Sequence, residues 1–461
     1  MRPRSRAWAS RTSWRPRASA SAADPRSSGW SQRRRSEKWS SWMVTSSPVG
    51  SVRSQSTLRG EASSVAMGAA EESGADMRLD RKNKEKTRSY KGSSRFRKGI
   101  PGDERVPSCA SPAVYEWFGP PMSSTTPAFF HPDQLAFKPA YEWAFGERID
   151  HPETTARAEA IRASLIDLPG IDLRPPNRMP IEAIEALHDE ELLMVYRRAA
   201  ALEAGETLYP HVFPKLQRGK GDPSNLHMAG AWCFDAGTPL TRNTWTAAAW
   251  SAACAQEAAK AVLEEKVPMA YALSRPPGHH AQADLFGGYC YFNNAAIATE
   301  TLRPHGKVAI LDIDFHHGNG TQSLYYGSDE VFVCSIHGDP TEFFPFHCGY
   351  ADERGEGAGE GYNLNLCLPA GTRGEAYGHL LTKVALEAIR SFGPDFLVLS
   401  AGFDGYEKDP VGGWELTTDD FETLGGILAG MGLPVVVVQE GGYYTPDLGT
   451  NAAALLTGLR R

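Results

Sequence analysis

Beyond residue 150, apolar positions recur with a helical period over 153–165, 182–204, 245–265, 293–303, 375–392, 418–431 and 448–459. Between the later helices lie short runs rich in branched and aromatic residues: Lys307–Phe315, Val331–Ile336, Asp395–Ala401 and Pro434–Glu440. This alternation predicts an α/β fold built on a parallel sheet covered on both faces. The strings Val308-Ala309-Ile310-Leu311 and Val435-Val436-Val437-Val438 have no polar face, as strands buried on both sides require. Sheets of this kind collect ligands beyond the carboxyl ends of their strands. The residues that follow each strand are therefore the first candidates for chemistry.

The run Lys307–Phe315 leads into Asp312-Ile313-Asp314-Phe315-His316-His317-Gly318-Asn319-Gly320. At a period of two, Asp312, Asp314 and His316 project together, away from Ile313 and Phe315. Two carboxylates and an imidazole converging at a strand end repel unless a cation offsets them. The apolar approach and glycine-rich exit argue against solvated acids. The run Asp395–Ala401 ends in Gly402-Phe403-Asp404. Alone, Asp404 would read as a turn former. With Asp314 and His316 it completes three nitrogen or oxygen ligands, the number a catalytic zinc takes while leaving a position for water.

Two prolines and a glycine stiffen Arg275-Pro276-Pro277-Gly278-His279-His280-Ala281, and a tandem histidine pair on such a turn reads as catalytic. The last strand runs into Glu440-Gly441-Gly442-Tyr443-Tyr444. The glycines let the backbone approach a site, and Tyr443 supplies a hydroxyl there; Tyr444 reads equally well as a packing lid.

Composition sharpens this picture. The chain has 461 residues, 41% apolar and 22% charged, with a formal net charge of −7. Residues 1–109 hold 24 Lys+Arg against 10 Asp+Glu, so a basic segment of +14 precedes an acidic body of −21. Such a body attracts cations and repels nucleic acid. No apolar run reaches the length of a membrane span. Seven scattered cysteines, none spaced Cys-x-x-Cys, argue against a disulfide scaffold or a cysteine-based zinc site, and for a reducing compartment.

Residues 1–60 contain 16 Ser and 13 Lys+Arg, with Asp24 and Glu37 as the only acids. That composition is expected of a plastid or mitochondrial transit peptide. A disordered tail, or an upstream extension with the true start near Met67 or Met77, also fits, in which case a cytoplasmic protein is expected. Residues 61–127 read as linker and 128–461 as the catalytic domain.

Six segments together resemble the zinc-dependent histone deacetylase superfamily: Arg275 to Ala281, Gly287 to Asn294, Asp312 to Gln322, Ser335 to Pro340, Ala401 to Asp404 and Glu440 to Tyr443. Phe343-Phe344-Pro345, Gly349 to Glu353 and the stretch Pro139 to Ala160 are most similar to the acetylpolyamine amidohydrolases within it. The resemblance implies an arginase/deacetylase-like three-layer α/β/α sandwich around a mostly parallel eight-stranded sheet. It implies one catalytic zinc on Asp314, His316 and Asp404, and a structural potassium at Asp312, Ser335 and nearby carbonyls. His279 would hydrogen-bond Asp312. His280, oriented by Asn319, would act as general base and acid; class I deacetylases carry Asp at that place, so His280 here is expected to be less cationic. Tyr443 would donate to the oxyanion, and Gly288, Tyr289 and Phe344 would line the substrate channel.

The expected reaction is removal of acetyl groups from small cationic amines, with Glu142 meeting a distal ammonium; a homodimer is implied by the resemblance. Two departures keep an acetyl-lysine protein deacetylase as the alternative. The segment Cys233 to Thr238 lacks the Glu expected of bacterial acetylpolyamine enzymes, and Val411 replaces the Glu of polyamine-specific animal relatives. A catalytically dead acetyl-amine binder and a two-manganese ureohydrolase are the readings from other classes.

Overall fold

A computed structural model describes residues 125–212 and 221–461. The basic segment 1–60, most of the linker, and the compartment expected from them lie outside the described residues. Eight strands form one sheet: β1 (Thr126–Phe129), β2 (Ile171–Arg174), β3 (Met269–Ala272), β4 (Val308–Asp312), β5 (Val331–Gly338), β6 (Asn363–Leu368), β7 (Phe396–Ala401) and β8 (Val435–Gln439). Their order is β6-β5-β4-β7-β8-β3-β1-β2, and every pairing is parallel. β1 begins two residues inside the stretch read as linker.

Alternate residues feed two cores. Ala309, Leu311, Leu397, Leu399, Val435 and Val437 pack on one face with Ile161, Phe421 and Leu455. Val308, Ile310, Val398, Val436 and Val438 pack on the other with Ala255, Ala258 and Ala298. Each valine or leucine so buried is worth about 1.5–3 kcal/mol relative to exposure. A third cluster joins Leu192, Tyr196, Phe286 and Tyr291. The result is the three-layer sandwich expected. Among the described residues no helix is long and apolar enough to cross a membrane.

The helix read over 182–204 is two helices, Ile181–Leu187 and Glu190–Ala199. His188, extended at φ −120° and ψ 141°, breaks them. Its ring bonds the Gln282 carbonyl (2.8 Å) and the Asn293 amide (3.2 Å), and Asp189 N donates to the Ala283 carbonyl. The following Asp-Glu-Glu is a helix-start signal that periodicity alone passes over. The stretch 375–392 contains a π-helical turn, Leu381–Ala385, between Gly374–Leu380 and Leu386–Phe392.

Strand order places the site. After β4 the chain moves outward to β5 and β6, whereas after β7 it moves to β8 on the opposite side. Neighbouring strands whose connections diverge leave a crevice at their carboxyl ends. Asp312 closes β4, and Asp404 follows β7.

Candidate active site

The four central strands β4, β7, β8 and β3 each contribute one loop to this crevice. β4 ends at Asp312 rather than at Phe315; the chain continues extended, so Asp314 and His316 stand on the loop beyond it. His316 Nδ1 lies 2.9 Å from Asp404 Oδ2 and 3.3 Å from Asp314 Oδ1, and all three residues are buried. Backbone donors fix both carboxylates: Phe315 N to Asp404 Oδ1 (2.8 Å), Gly441 N to Asp314 Oδ2 (2.8 Å) and His316 N to Asp314 Oδ1 (2.9 Å). One donor atom from each side chain falls within 4.8 Å of the others.

The walls of this cluster are glycines because nothing larger fits. A Cβ on Gly402 would lie 2.0 Å from Asp314 Oδ2, and one on Gly441 2.5 Å from Asp404 Oδ2. A cradle of two carboxylates and one imidazole, closed around by glycine, suits a zinc ion. Its electrostatics agree. Burial pushes the Asp404 carboxyl up to about 7, with the Asp314 charge adding to it. Burial also works against ionised Asp314, but the His279 and His316 charges outweigh it and hold that carboxyl low.

The histidine pair sits on the β3 loop. Arg275, fully buried, anchors the loop through the carbonyls of Gln134 (2.7 Å), Thr154 (3.1 Å) and Glu153 (3.3 Å). Glu440 Oε2 accepts the amides of Gly278 (2.6 Å) and His279 (3.1 Å). The helix Asn319–Tyr325 directs its first amides, Gly320 N and Thr321 N, at the His279 carbonyl. His279 Nδ1 lies 2.9 Å from Asp312 Oδ2. Burial disfavours its charge, yet Asp314 and Asp312 raise its pKa to about 10. His280 Nδ1 lies 2.6 Å from Asn319 Oδ1. Burial, with the neighbouring His279 and His316 charges, depresses the His280 pKa well below the ordinary histidine value.

Tyr443 is half-buried on the β8 loop, its ring 5.9 Å from that of Tyr289. Burial, aided by Asp404 and Asp314 and opposed by Arg157, keeps its phenol protonated far above the usual tyrosine range. Phe344 sets its ring edge-on to His280 at 5.1 Å and stacks on Phe234 at 5.9 Å. Gly288 holds φ +56°, and a Cβ there would lie 2.1 Å from His280 Cδ2. Glu142 is buried, accepts the Tyr289 hydroxyl (2.8 Å), and is pushed by burial to about 7. Ser335 stands in register with Asp312 on the neighbouring strand, and its Oγ faces His337 Nδ1 at 2.8 Å.

Four contributors are not distinguished individually by the sequence, although Arg157 lies in the stretch Pro139 to Ala160, and Phe234 and Asp235 lie in Cys233 to Thr238. Phe234 adds a wall beside Phe344. Asp235 spends both oxygens on Gly237 N, Thr238 N, Thr238 Oγ1 and Gly288 N. Arg157 donates to the carbonyls of Gly442 (2.5 Å) and Glu440 (2.6 Å), and Asp409 accepts the Tyr443 amide. A second buried donor group, His279, Cys290 and Glu440, also falls within 4.8 Å, although Glu440 Oε2 is already engaged by two amides.

A sequence profile of the histone deacetylase domain matches residues 151–459. The acetylpolyamine amidohydrolase of Burkholderia pseudomallei (strain 1710b) is 42% identical over 340 residues, spanning 72% of this chain and 97% of that protein. That of Mycoplana ramosa is 40% identical over 322 residues, spanning 68% and 94%. A crystal structure of acetylpolyamine aminohydrolase from Burkholderia pseudomallei superposes with a TM-score of 0.68 at 40% identity, covering 72% of this chain and 98% of that one.

Proposed function

The chain belongs to the histone deacetylase family, and on that premise we propose that it is a zinc-dependent acetylpolyamine amidohydrolase, which cleaves the acetyl amide of small cationic amines and releases acetate. Asp314, His316 and Asp404 hold the zinc. When bound, the zinc supplies Lewis acidity, polarising the amide carbonyl and lowering the pKa of water to about 7.

The chain's own groups divide the proton work. The Asn319 amide oxygen can only accept, so His280 carries its proton on Nδ1 and presents a bare Nε2. With its pKa depressed, His280 rests neutral and takes a proton from the attacking water. The Tyr443 hydroxyl donates to the oxyanion that forms as oxygen adds to the carbonyl carbon; losing one such donor costs about 3 kcal/mol. His280 then returns its proton to the departing nitrogen, the C–N bond breaks, and amine and acetate separate. His279, held by Asp312, adds fixed positive charge beside the developing negative one.

Glu142 carries the choice of substrate. Tyr289 touches both Tyr443 and Glu142, so one side chain separates the reacting end from a buried carboxylate suited to a distal ammonium. Asp235, whose oxygens are spent on four donors, does not supply a second such site. A potassium behind the zinc is proposed at Asp312 and Ser335, supported by their register on adjacent strands. A homodimer is proposed through the hairpin Tyr141–Ala144/Glu147–Asp150, which carries Glu142 inward and leaves Trp143, Phe145 and Ile149 exposed at 44%, 91% and 40%.

Rates on acetylputrescine, acetylspermidine and an acetyl-lysine peptide, measured on one preparation, test the substrate class. The polyamines are expected to lead; a faster peptide would transfer the assignment to protein deacetylation.

A further inference from the structure

The turn that carries Tyr443 has little rigidity of its own. Gly442 adopts φ +109°, and Gly441 has no room for a side chain beside Asp314 and Asp404. Two glycines before a tyrosine leave its direction to outside contacts. Those contacts come from opposite sides. Arg157 holds the carbonyls, bonding Gly442 O and Glu440 O while its guanidinium carbon lies 4.7 Å above the Tyr443 ring. Asp409 holds the amides: its Oδ2 accepts Tyr443 N at 2.6 Å and Tyr444 N at 2.9 Å.

Asp409 is itself well anchored. It lies five residues beyond Asp404, its Oδ1 accepts Val411 N (3.0 Å), and its own amide donates to Tyr406 O (2.9 Å). The same loop is tied down by Glu407 N to Leu416 O (2.8 Å) and Tyr406 N to Phe403 O (3.2 Å). One carboxylate thus spans the loop after β7, which bears Asp404, and the turn after β8, which bears Tyr443. We propose that Asp409 is the positioning residue for the Tyr443 phenol, fixing the hydrogen-bond donor to the reacting carbonyl by gripping the Tyr443 and Tyr444 amides from the Asp404 loop. The proposal rests on the reading of Tyr443 as oxyanion donor.

Without Asp409, the Tyr443 and Tyr444 amides lose their acceptor, and the turn is held upstream of Tyr443, at Gly441 N by Asp314 and at Gly442 O by Arg157. A donor displaced by about 1 Å loses on the order of 10²-fold in rate, whereas substrate binding along the channel is untouched. Because Asn keeps one acceptor oxygen, Asp409→Asn should retain part of what Asp409→Ala loses.

The test is a cycle of four proteins: wild type, Asp409→Ala, Tyr443→Phe and the double variant, with Asp409→Asn alongside and zinc content measured on each. Asp409→Ala is expected to lower kcat by roughly 10- to 100-fold with KM within threefold and zinc retained. In the Tyr443→Phe background the same change should cost less than about threefold, because the group it positions is gone. An equal penalty in both backgrounds, or wild-type turnover in Asp409→Ala, overturns the proposal. Should the alanine variant fail to fold, wild-type kcat in Asp409→Asn together with an undiminished Tyr443→Phe defect would overturn it too. Full turnover in Tyr443→Phe alone would instead remove the oxyanion reading, and the proposal with it.

Discussion

His280 Nδ1 and Asn319 Oδ1 stand 2.6 Å apart, and this contact decides which histidine nitrogen is free to react. An amide oxygen offers a lone pair and no charge, so it selects the tautomer without pulling the ring toward the imidazolium. Replacing Asn319 by Asp adds the missing charge and should raise the His280 pKa. The acidic limb of the kcat/KM profile is expected to move to higher pH in Asn319→Asp, and Asn319→Leu to lose roughly 10²-fold in kcat. An acidic limb that stays in place in the Asp variant would separate residue 319 from the base.

Glu142 titrates in the physiological range, pushed to about 7 by burial, with the Tyr289 hydrogen bond opposing and the Asp235 charge adding. It is neutral below that value and anionic above it. KM for a cationic acetylpolyamine should therefore fall as pH rises through 7, while KM for a neutral N-acetylated alkylamine stays flat. Glu142→Gln should flatten the first curve and leave the second unchanged; a pH-dependent KM that survives in Glu142→Gln would place the ammonium site elsewhere.

Acid should weaken the fold through His188. Burial lowers its pKa to about 4, with the bond to Gln282 opposing, whereas the unfolded chain's histidine titrates near 6.5. The neutral ring's contribution is complete above about 6.5 and declines as pH drops toward 4, by roughly 1.4 kcal/mol per unit for each such group. Buried His151, also lowered to about 4, acts in the same direction. Denaturant midpoints should fall across this window, with a shallower slope in His188→Asn. Equal slopes would show that His188 is already protonated in the native state.

The strands that read clearly from the chain are those whose side chains declare them. β4, β5, β7 and β8 are dense in Val, Ile, Leu and Phe, and the first and last two lead into motifs that name their own chemistry. β1 and β3, Thr-Pro-Ala-Phe and Met-Ala-Tyr-Ala, hold four residues each and no β-branched run. Their strand state comes from pairing with neighbours distant in sequence, which periodicity does not encode. The same divide runs through the site. Asp314, His316, Asp404 and the histidine pair sit in short, stiff, compositionally unusual segments. Arg157 and Asp409 act on backbone atoms 283, 285 and 34 residues away, and a lone Arg or Asp gives no sign of which distant carbonyl or amide it will meet.

Zinc content measured beside acetate release from acetylputrescine, for the wild-type protein and Asp404→Ala, tests whether Asp314, His316 and Asp404 hold a metal that turnover requires. About one zinc per wild-type chain is expected, with activity lost to chelation and restored by zinc, and in Asp404→Ala little bound metal with turnover reduced by roughly 10³-fold or more. Wild-type hydrolysis without bound zinc, or an Asp404→Ala protein that keeps both its metal and its turnover, would contradict that assignment.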